Sequence, residues 1–400
     1  MAPVCETSFT FPGASNDAAP HSEYFLTPGG GGGFAGHGKS VPQRPFRAVM
    51  KASLRGRLWR LGAVAVVALA TQMAPAGQAR AADSAQKLIR IGVQQGLSGA
   101  TPLKYVKWIE EQGYKVEWTT FQNAGASSTA LVAGSIDMQA AGLAPEMALA
   151  TKAPNVWLVG TSELNSSQLV VSEKSGISKV ADLKGKTIST AGPGSQQYAL
   201  LVAALAKNGL TVRDLRLIST PANTMPALLE KGSIDGFFAW PPFTSQVLQQ
   251  GKGKLLISAT PEFHASIGGK GPWVGEGWEV NSKFAQAHPD AVIAVLRAEI
   301  RYFDLLHKSP EQGYELMAKA AHISPEHVAY IIKQGYDAYP TDIRPDPEVI
   351  KSMLNLIQNA GLISQANDLD KEKFIKNFIH PEFSEEALKK EQAAGRAGAK

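Results

Sequence analysis

Gly134-Ser135-Ile136-Asp137 and Gly232-Ser233-Ile234-Asp235 are the same four residues written twice, 98 positions apart. Each copy follows an apolar helical segment, around Ala130 and Leu131 in one case and Leu228 and Leu229 in the other. Glycine ends the helix, a two-residue turn follows, and an apolar strand begins. Each copy opens the third strand of its own run of alternating strands and helices, so two lobes of similar α/β topology are expected. Asp137 and Asp235 read as turn residues opening strands rather than as a catalytic acid pair, because Asp serves turns readily.

The runs extend outward from these two stretches. Short apolar segments over 88–93, 116–121, 136–141 and 156–160 read as strands, with helices over 105–112, 127–133 and 145–151. A further short strand over 169–171 precedes the polar turn 180–187, which reads as the first crossing between lobes. The alternation then restarts with strands over 188–190, 215–219, 234–239 and 255–258 and helices over 195–208, 225–231 and 243–250. A glycine-rich stretch, 268–277, follows. From 283 to 378 the chain reads as helices (285–307, 310–321, 325–334, 347–360) separated by Pro or Gly and packing back on the first lobe. The expected fold is therefore α/β and two-lobed with two crossovers. Lobe I comprises 82–172 and 278–385, lobe II comprises 173–277, and 386–400 is a flexible tail rich in Ala, Gly and Lys.

The first 81 residues have a different character. Lys51, Arg55, Arg57 and Arg60 form a cationic segment after Met50, an apolar and small run covers 61–70, and Ala79-Arg80-Ala81 offers an A-x-A cleavage site. This is the pattern of a secretory signal over 50–81, with a mature protein from Ala82. The apolar run falls well short of the roughly 20 residues that a bilayer-spanning helix needs. Residues 1–49 read as a disordered or spurious upstream segment. Gly33-Phe34-Ala35-Gly36-His37-Gly38-Lys39-Ser40 matches a phosphate loop, but prolines and a glycine run flank it where a strand and a helix are required.

The formal net charge is +5, yet 8 cations and 3 acids lie before Ala82, leaving 32 basic and 32 acidic residues after it. A neutral mature chain has no general attraction to nucleic acid or anionic membrane. The single cysteine, Cys5, lies upstream of the signal, so disulfides, thiolate metal sites and cysteine nucleophiles are excluded from the mature chain. Neither H-E-x-x-H nor G-x-S-x-G occurs, and His322 and His327 flank Ser324-Pro325 at a spacing poor for zinc. No catalytic residue, metal or cofactor is expected, and export points to the periplasm.

In open α/β sheets a ligand binds beyond the carboxyl ends of strands, where loops run into helix N-termini. The loops at those ends are small, amide-rich and free of arginine, lysine and histidine. Backbone amides at a helix start bind an oxyanion without a formal positive charge. The residues expected at such a site are Gln94 and Gln95, Ser127, Gly142, Asn165 and Ser166, Gly194, Ser195 and Gln196, Asn223, and the aromatic pair Trp240 and Phe243. Ser195 reads equally as a helix cap. Trp240 and Phe243 read as an apolar wall or as core.

Ile91-Gly92-Val93-Gln94, Ala133-Gly-Ser-Ile-Asp137, Val180-Ala-Asp-Leu-Lys-Gly-Lys186, Gly194-Ser195 and Asp235-Gly-Phe-Phe-Ala-Trp240 with Pro242-Phe243 follow one another in a set order. In that order and spacing, over roughly 88–380, the chain resembles the periplasmic substrate-binding proteins of ABC importers in the nitrate, sulfonate and taurine group. The resemblance implies a type II periplasmic binding fold, hinge closure on a small ligand, and docking of a monomer on a membrane permease driven by an ATPase. It places Gln94, Ser127, Ser195 and Trp240 in contact with the ligand. The implied ligand is a small organic anion, an alkanesulfonate or taurine-like compound. Nitrate, bicarbonate, an aromatic carboxylate and a pyrimidine precursor stand as alternatives, the last because proteins similar in fold make one. The segment 96–104 departs from the family's usual first loop and helix.

Overall fold

The computed structural model describes residues 87–363 and 369–395; the signal segment 50–81 and the stretch 1–49 lie outside the described residues. Ten strands form two five-stranded sheets. The strands are β1 (Lys87–Gln94), β2 (Tyr114–Phe121), β3 (Met138–Gly142), β4 (Val156–Leu164), β5 (Gln168–Ser172), β6 (Thr187–Thr190), β7 (Arg216–Ser219), β8 (Gly236–Ala239), β9 (Gly253–Ser258) and β10 (Val274–Asn281). Between β2 and β10 lie α1 (Ala124–Val132), α2 (Leu143–Ala150), α3 (Gln196–Lys207), α4 (Met225–Glu230), α5 (Phe243–Gln249) and α6 (Pro261–Ser266). After β10 come α7 (Ser282–Ala287), α8 (Pro289–Lys308), α9 (Pro310–Ala321), α10 (Pro325–Lys333), α11 (Pro347–Asn359), α12 (Lys371–Phe378) and α13 (Glu382–Ala393).

The sheet orders are β2-β1-β3-β10-β4 and β7-β6-β8-β5-β9, the same pattern in both lobes. The repeated tetrapeptide occupies equivalent places in the two sheets. The Asp137 carboxylate accepts the Arg90 amide at 2.8 Å, and the Asp235 carboxylate accepts the Thr187 amide at 2.7 Å. Each aspartate thus satisfies the donor at the neighbouring parallel strand while its preceding glycine, Gly134 or Gly232, takes the left-handed conformation that ends a helix. Both are turn residues, as their sequence context indicates.

In each sheet the fourth strand is antiparallel to its neighbours and arrives from the other lobe. β10 pairs antiparallel with β3 and β4, and β5 pairs antiparallel with β8 and β9. This corrects the lobe boundaries. The first crossing lies at Asn165–Ser167, not at the polar turn 180–187, because Leu169, Val170 and Val171 are buried in the second sheet. The second crossing ends before Val274, so the glycine-rich stretch contributes half of a fully buried central strand of the first sheet. A short apolar run looks the same whichever sheet buries it, and no local signal marks the choice.

Two of the expected helices also differ in the structure. The region 105–112 holds only two 3-10 turns, Thr101–Tyr105 and Glu110–Gln112, the second stopped by left-handed Gly113. The helix expected over 285–307 breaks at His288, since Pro289 disfavours helical geometry at the residue before it. The chain end from 386 is helical as far as Ala393 rather than frayed. Its anchor is Glu391, wholly buried, which accepts from Arg297 Nε at 2.7 Å and Arg301 Nε at 2.9 Å on α8. The last five residues lie outside the described residues.

Breaking a buried ion pair from one side leaves uncompensated charge. Glu391→Ala is therefore expected to lower unfolding stability by about 3 kcal/mol, read from urea denaturation followed by far-UV circular dichroism.

Candidate functional site

Three helix N-termini converge on one cavity of about 270 Å³ between the lobes. From lobe I come Asn123, Ala124 and Gly125 at the start of α1, and Gly142 and Pro145 at the start of α2. From lobe II come Ala191, Gly194, Ser195, Gln196 and Gln197 at the start of α3, together with Trp240. The first amides of a helix have no carbonyl behind them, so each N-terminus offers donors and a partial positive charge. Asn123 caps α1 by accepting the Ala126 amide at 3.0 Å. Ser195 caps α3 by accepting the Tyr198 amide at 3.2 Å, and its hydroxyl donates to the Gly192 carbonyl at 2.8 Å.

The cavity is also lined by Gln94, Ser166 and two carboxyls, Glu163 and Glu276, the latter paired with Gly142 across β3 and β10. These acids stand directly opposite each other on β4 and β10. Glu276 accepts the Ser98 hydroxyl at 2.6 Å, and Glu163 Oε2 is buried without a hydrogen-bond partner. Gly275 makes room for Ser166 beside them: a Cβ there would lie 2.0 Å from Ser166 Oγ and 3.3 Å from Glu163 Oε1. Among the described residues no lysine, arginine or histidine lines this cavity.

The lobes meet at the cavity mouth. Leu97 donates its amide to the Pro241 carbonyl at 3.2 Å, and Trp240 Nε1 donates to the Gln95 carbonyl at 3.3 Å. Gly96, with φ +123°, is required here because a Cβ would sit 2.6 Å from the indole nitrogen. Behind the cavity the two crossings are joined by the Asn165 amide donating to the Trp273 carbonyl at 2.9 Å. Farther out, Ser245 on α5 and His327 on α10 lie 2.8 Å apart.

Of the residues expected at the site, Gln94, Gly142, Ser166, Gly194, Ser195, Gln196 and Trp240 line the cavity. Five do not. Ser127 is fully buried, and its hydroxyl donates to the Ala124 carbonyl at 3.0 Å within α1. Asn165 adopts φ +71° and turns the chain at the crossing. Gln95, Asn223 and Phe243 line a second cavity beyond the Gln95–Trp240 contact. Phe243 meets Trp240 edge-on at 5.9 Å, so the two rings do form a wall, but with Phe243 on its outer side. That outer cavity also brings in Lys104, which donates to the Thr120 hydroxyl at 2.6 Å. The cation comes from the segment 96–104, outside the loops at the strand ends.

The model of the NMT1-like family matches residues 82–321. The chain belongs to the NMT1-like family. A Bacillus subtilis protein named for binding aliphatic sulfonates is 25% identical over 342 residues, which cover 84% of this chain and 98% of that one. The taurine-binding periplasmic protein of Escherichia coli is 29% identical over 193 residues, 48% of this chain and 57% of that protein. The solved periplasmic aliphatic sulphonate-binding protein of Escherichia coli superposes with a TM-score of 0.60 at 23% identity, covering 72% of this chain and 96% of its own. The two-lobed periplasmic binding fold is therefore shared.

The feature that sequence reading missed in this NMT1-like chain is the acid pair. Its available signal was the presence of Glu163 and Glu276 inside otherwise apolar strands. They belong to a wider set of buried carboxyls in lobe I. Desolvation pushes Glu146 and Glu276 up to about 7 and Glu299 up to about 8, against hydroxyl donors that pull the other way. Glu163, Glu279 and Asp337 are raised well above the carboxylate range, first by burial and then by their acidic neighbours.

A raised carboxyl pKa means that the folded state holds protons the unfolded chain has released. Stability should thus fall as pH rises from about 4.5, the unfolded carboxyl range, towards 8. Urea midpoints measured across this window should decline, and Glu299→Gln should flatten the decline. Ser195→Ala removes the α3 cap and should cost about 1 kcal/mol of stability, measured by the same titration.

Proposed function

We propose that this chain is the exported substrate-binding component of an ABC importer, capturing a small organic anion of the alkanesulfonate or taurine type in the periplasm. The observation that carries this reading is the meeting of three helix N-termini on one inter-lobe cavity. Amides at helix starts, in a cleft closed against water, hold an oxyanion by hydrogen bonds and dipole alone. A cavity of about 270 Å³ lies below the range of drug-sized pockets and suits a ligand of few atoms. The names of the two sequence relatives support the same substrate class.

The chain acts by binding and release rather than by catalysis. Closure at Leu97–Pro241 and Gln95–Trp240 brings the lobes together over the ligand, and the two crossings serve as hinge. The closed form, a monomer, then docks on a permease whose ATPase drives transport. The signal over 50–81 directs the chain there.

A ligand that binds only the folded form raises the melting temperature by mass action. The purified protein is therefore to be melted against alkanesulfonates, taurine, nitrate, bicarbonate, aromatic acids and pyrimidines. A sulfonate or taurine is expected to give a shift of several degrees at about 100 times its dissociation constant. A shift with pyrimidines alone, and none with any anion, would overturn the reading. Gly96→Val, which forces apart the contact with Trp240, should weaken the bound sulfonate at least tenfold by calorimetry while leaving the far-UV spectrum unchanged.

A further inference from the structure

An anion site has no evident use for two carboxyls, yet Glu163 and Glu276 form one wall of the cavity. They face each other across neighbouring strands, an arrangement that costs stability when both are charged. Glu163 is only 2% exposed and its Oε2 has no partner, while Glu276, 7% exposed, accepts from Ser98. Behind them Asp337, equally buried, is held by the Tyr339 hydroxyl at 2.8 Å. Among the described residues no basic side chain lines the cavity to neutralise the pair. A buried carboxyl oxygen without a donor is expensive, and the expense is removed by a ligand that brings a donor or a cation.

The cavity is therefore bipolar. Helix starts of both lobes favour negative charge, while the lobe I acids, with Glu276 paired beside Gly142 at the start of α2, favour positive charge. We infer that the cavity takes a zwitterion, an ω-amino sulfonate whose ammonium sits on Glu163 and Glu276 and whose sulfonate meets the first amides of α3 at Gln196 and Gln197. This rests on the sulfonate reading above and narrows it. A plain alkanesulfonate fills the anion end but leaves both carboxyls desolvated and Glu163 Oε2 without a donor, and sites built to bond a polar group reject the analogue that lacks it strongly.

Protons provide a second signature. Near neutral pH Glu276, held up to about 7 by burial, is partly protonated. Glu163, Asp337, Glu279 and Glu299 are the titratable groups that interact with it, all acidic. An ammonium placed on the pair favours the ionised form, so an amino sulfonate releases protons on binding whereas a plain sulfonate does not.

The test is isothermal calorimetry at pH 7 in two buffers of different ionisation enthalpy, with taurine, ethanesulfonate and ethylamine as probes. Taurine should bind at least about 100-fold more tightly than ethanesulfonate, and only taurine should show a buffer-dependent heat of proton release. Glu163→Gln and Glu276→Gln should each bring the affinity for taurine down towards that for ethanesulfonate and abolish the proton release. Equal affinity of the wild type for taurine and ethanesulfonate, without proton release, would overturn the zwitterion assignment and leave the sulfonate reading standing. Binding of ethylamine with no binding of either sulfonate would overturn the sulfonate reading and keep the ammonium subsite. The buffer comparison uses the unaltered protein, so it decides the matter even where a Gln variant fails to fold.

Discussion

The antiparallel strand that each sheet receives from the other lobe's part of the chain is the constraint on which the architecture depends. β10 is buried along its whole length between β3 and β4, and β5 lies between β8 and β9. Neither sheet is complete until the chain has crossed, so the two crossings run side by side and are joined by the Asn165–Trp273 backbone bond. A paired crossing of this kind permits rotation of one lobe on the other while both sheets keep their pairing. It also delivers the start of β10 and the end of β4 to the same edge of the cleft, which is why Glu276 and Glu163 meet there.

The chemistry of the cleft follows from that meeting. The parallel strands of each lobe end at helix starts, giving donors and partial positive charge on every side that a βα turn reaches. The antiparallel strand enters the edge from the opposite direction and brings side chains instead of a helix start. Here that strand brings Glu276, and Glu163 stands opposite it at the end of β4, the strand that runs on into the crossing. The cavity thus has both polarities without one basic side chain among the described residues, and the ligand's own charges complete it.

Lobe I tolerates an unusual density of buried carboxyls because each is either bonded by a hydroxyl or amide or held protonated by burial. Ser162 serves Glu299 at 2.6 Å, Gln139 serves Glu146 at 2.8 Å, and Ser98 serves Glu276. The contrast with Glu391, bonded by two arginines of α8, is one of environment: there the partners are cations. Acids of the first kind make the fold sensitive to alkali.

The α/β class, the two lobes, the equivalence of Asp137 and Asp235 and the helix starts at Gly142 and Ser195 were legible in the sequence. Each is written in local signals of period, glycine placement and capping that act over a few residues. Membership of β5 and β10, the docking of α13 and the outward position of Gln95, Asn223 and Phe243 were not, because they depend on which distant surface buries a given apolar run. The same holds for the site's polarity. By itself the sequence determined that the strand-end loops carry amides and hydroxyls and no cation. Only the tertiary structure decided that Glu163 and Glu276, 113 residues apart in the chain, stand opposite each other in the cleft, since strand pairing is a long-range choice driven by burial rather than by local preference.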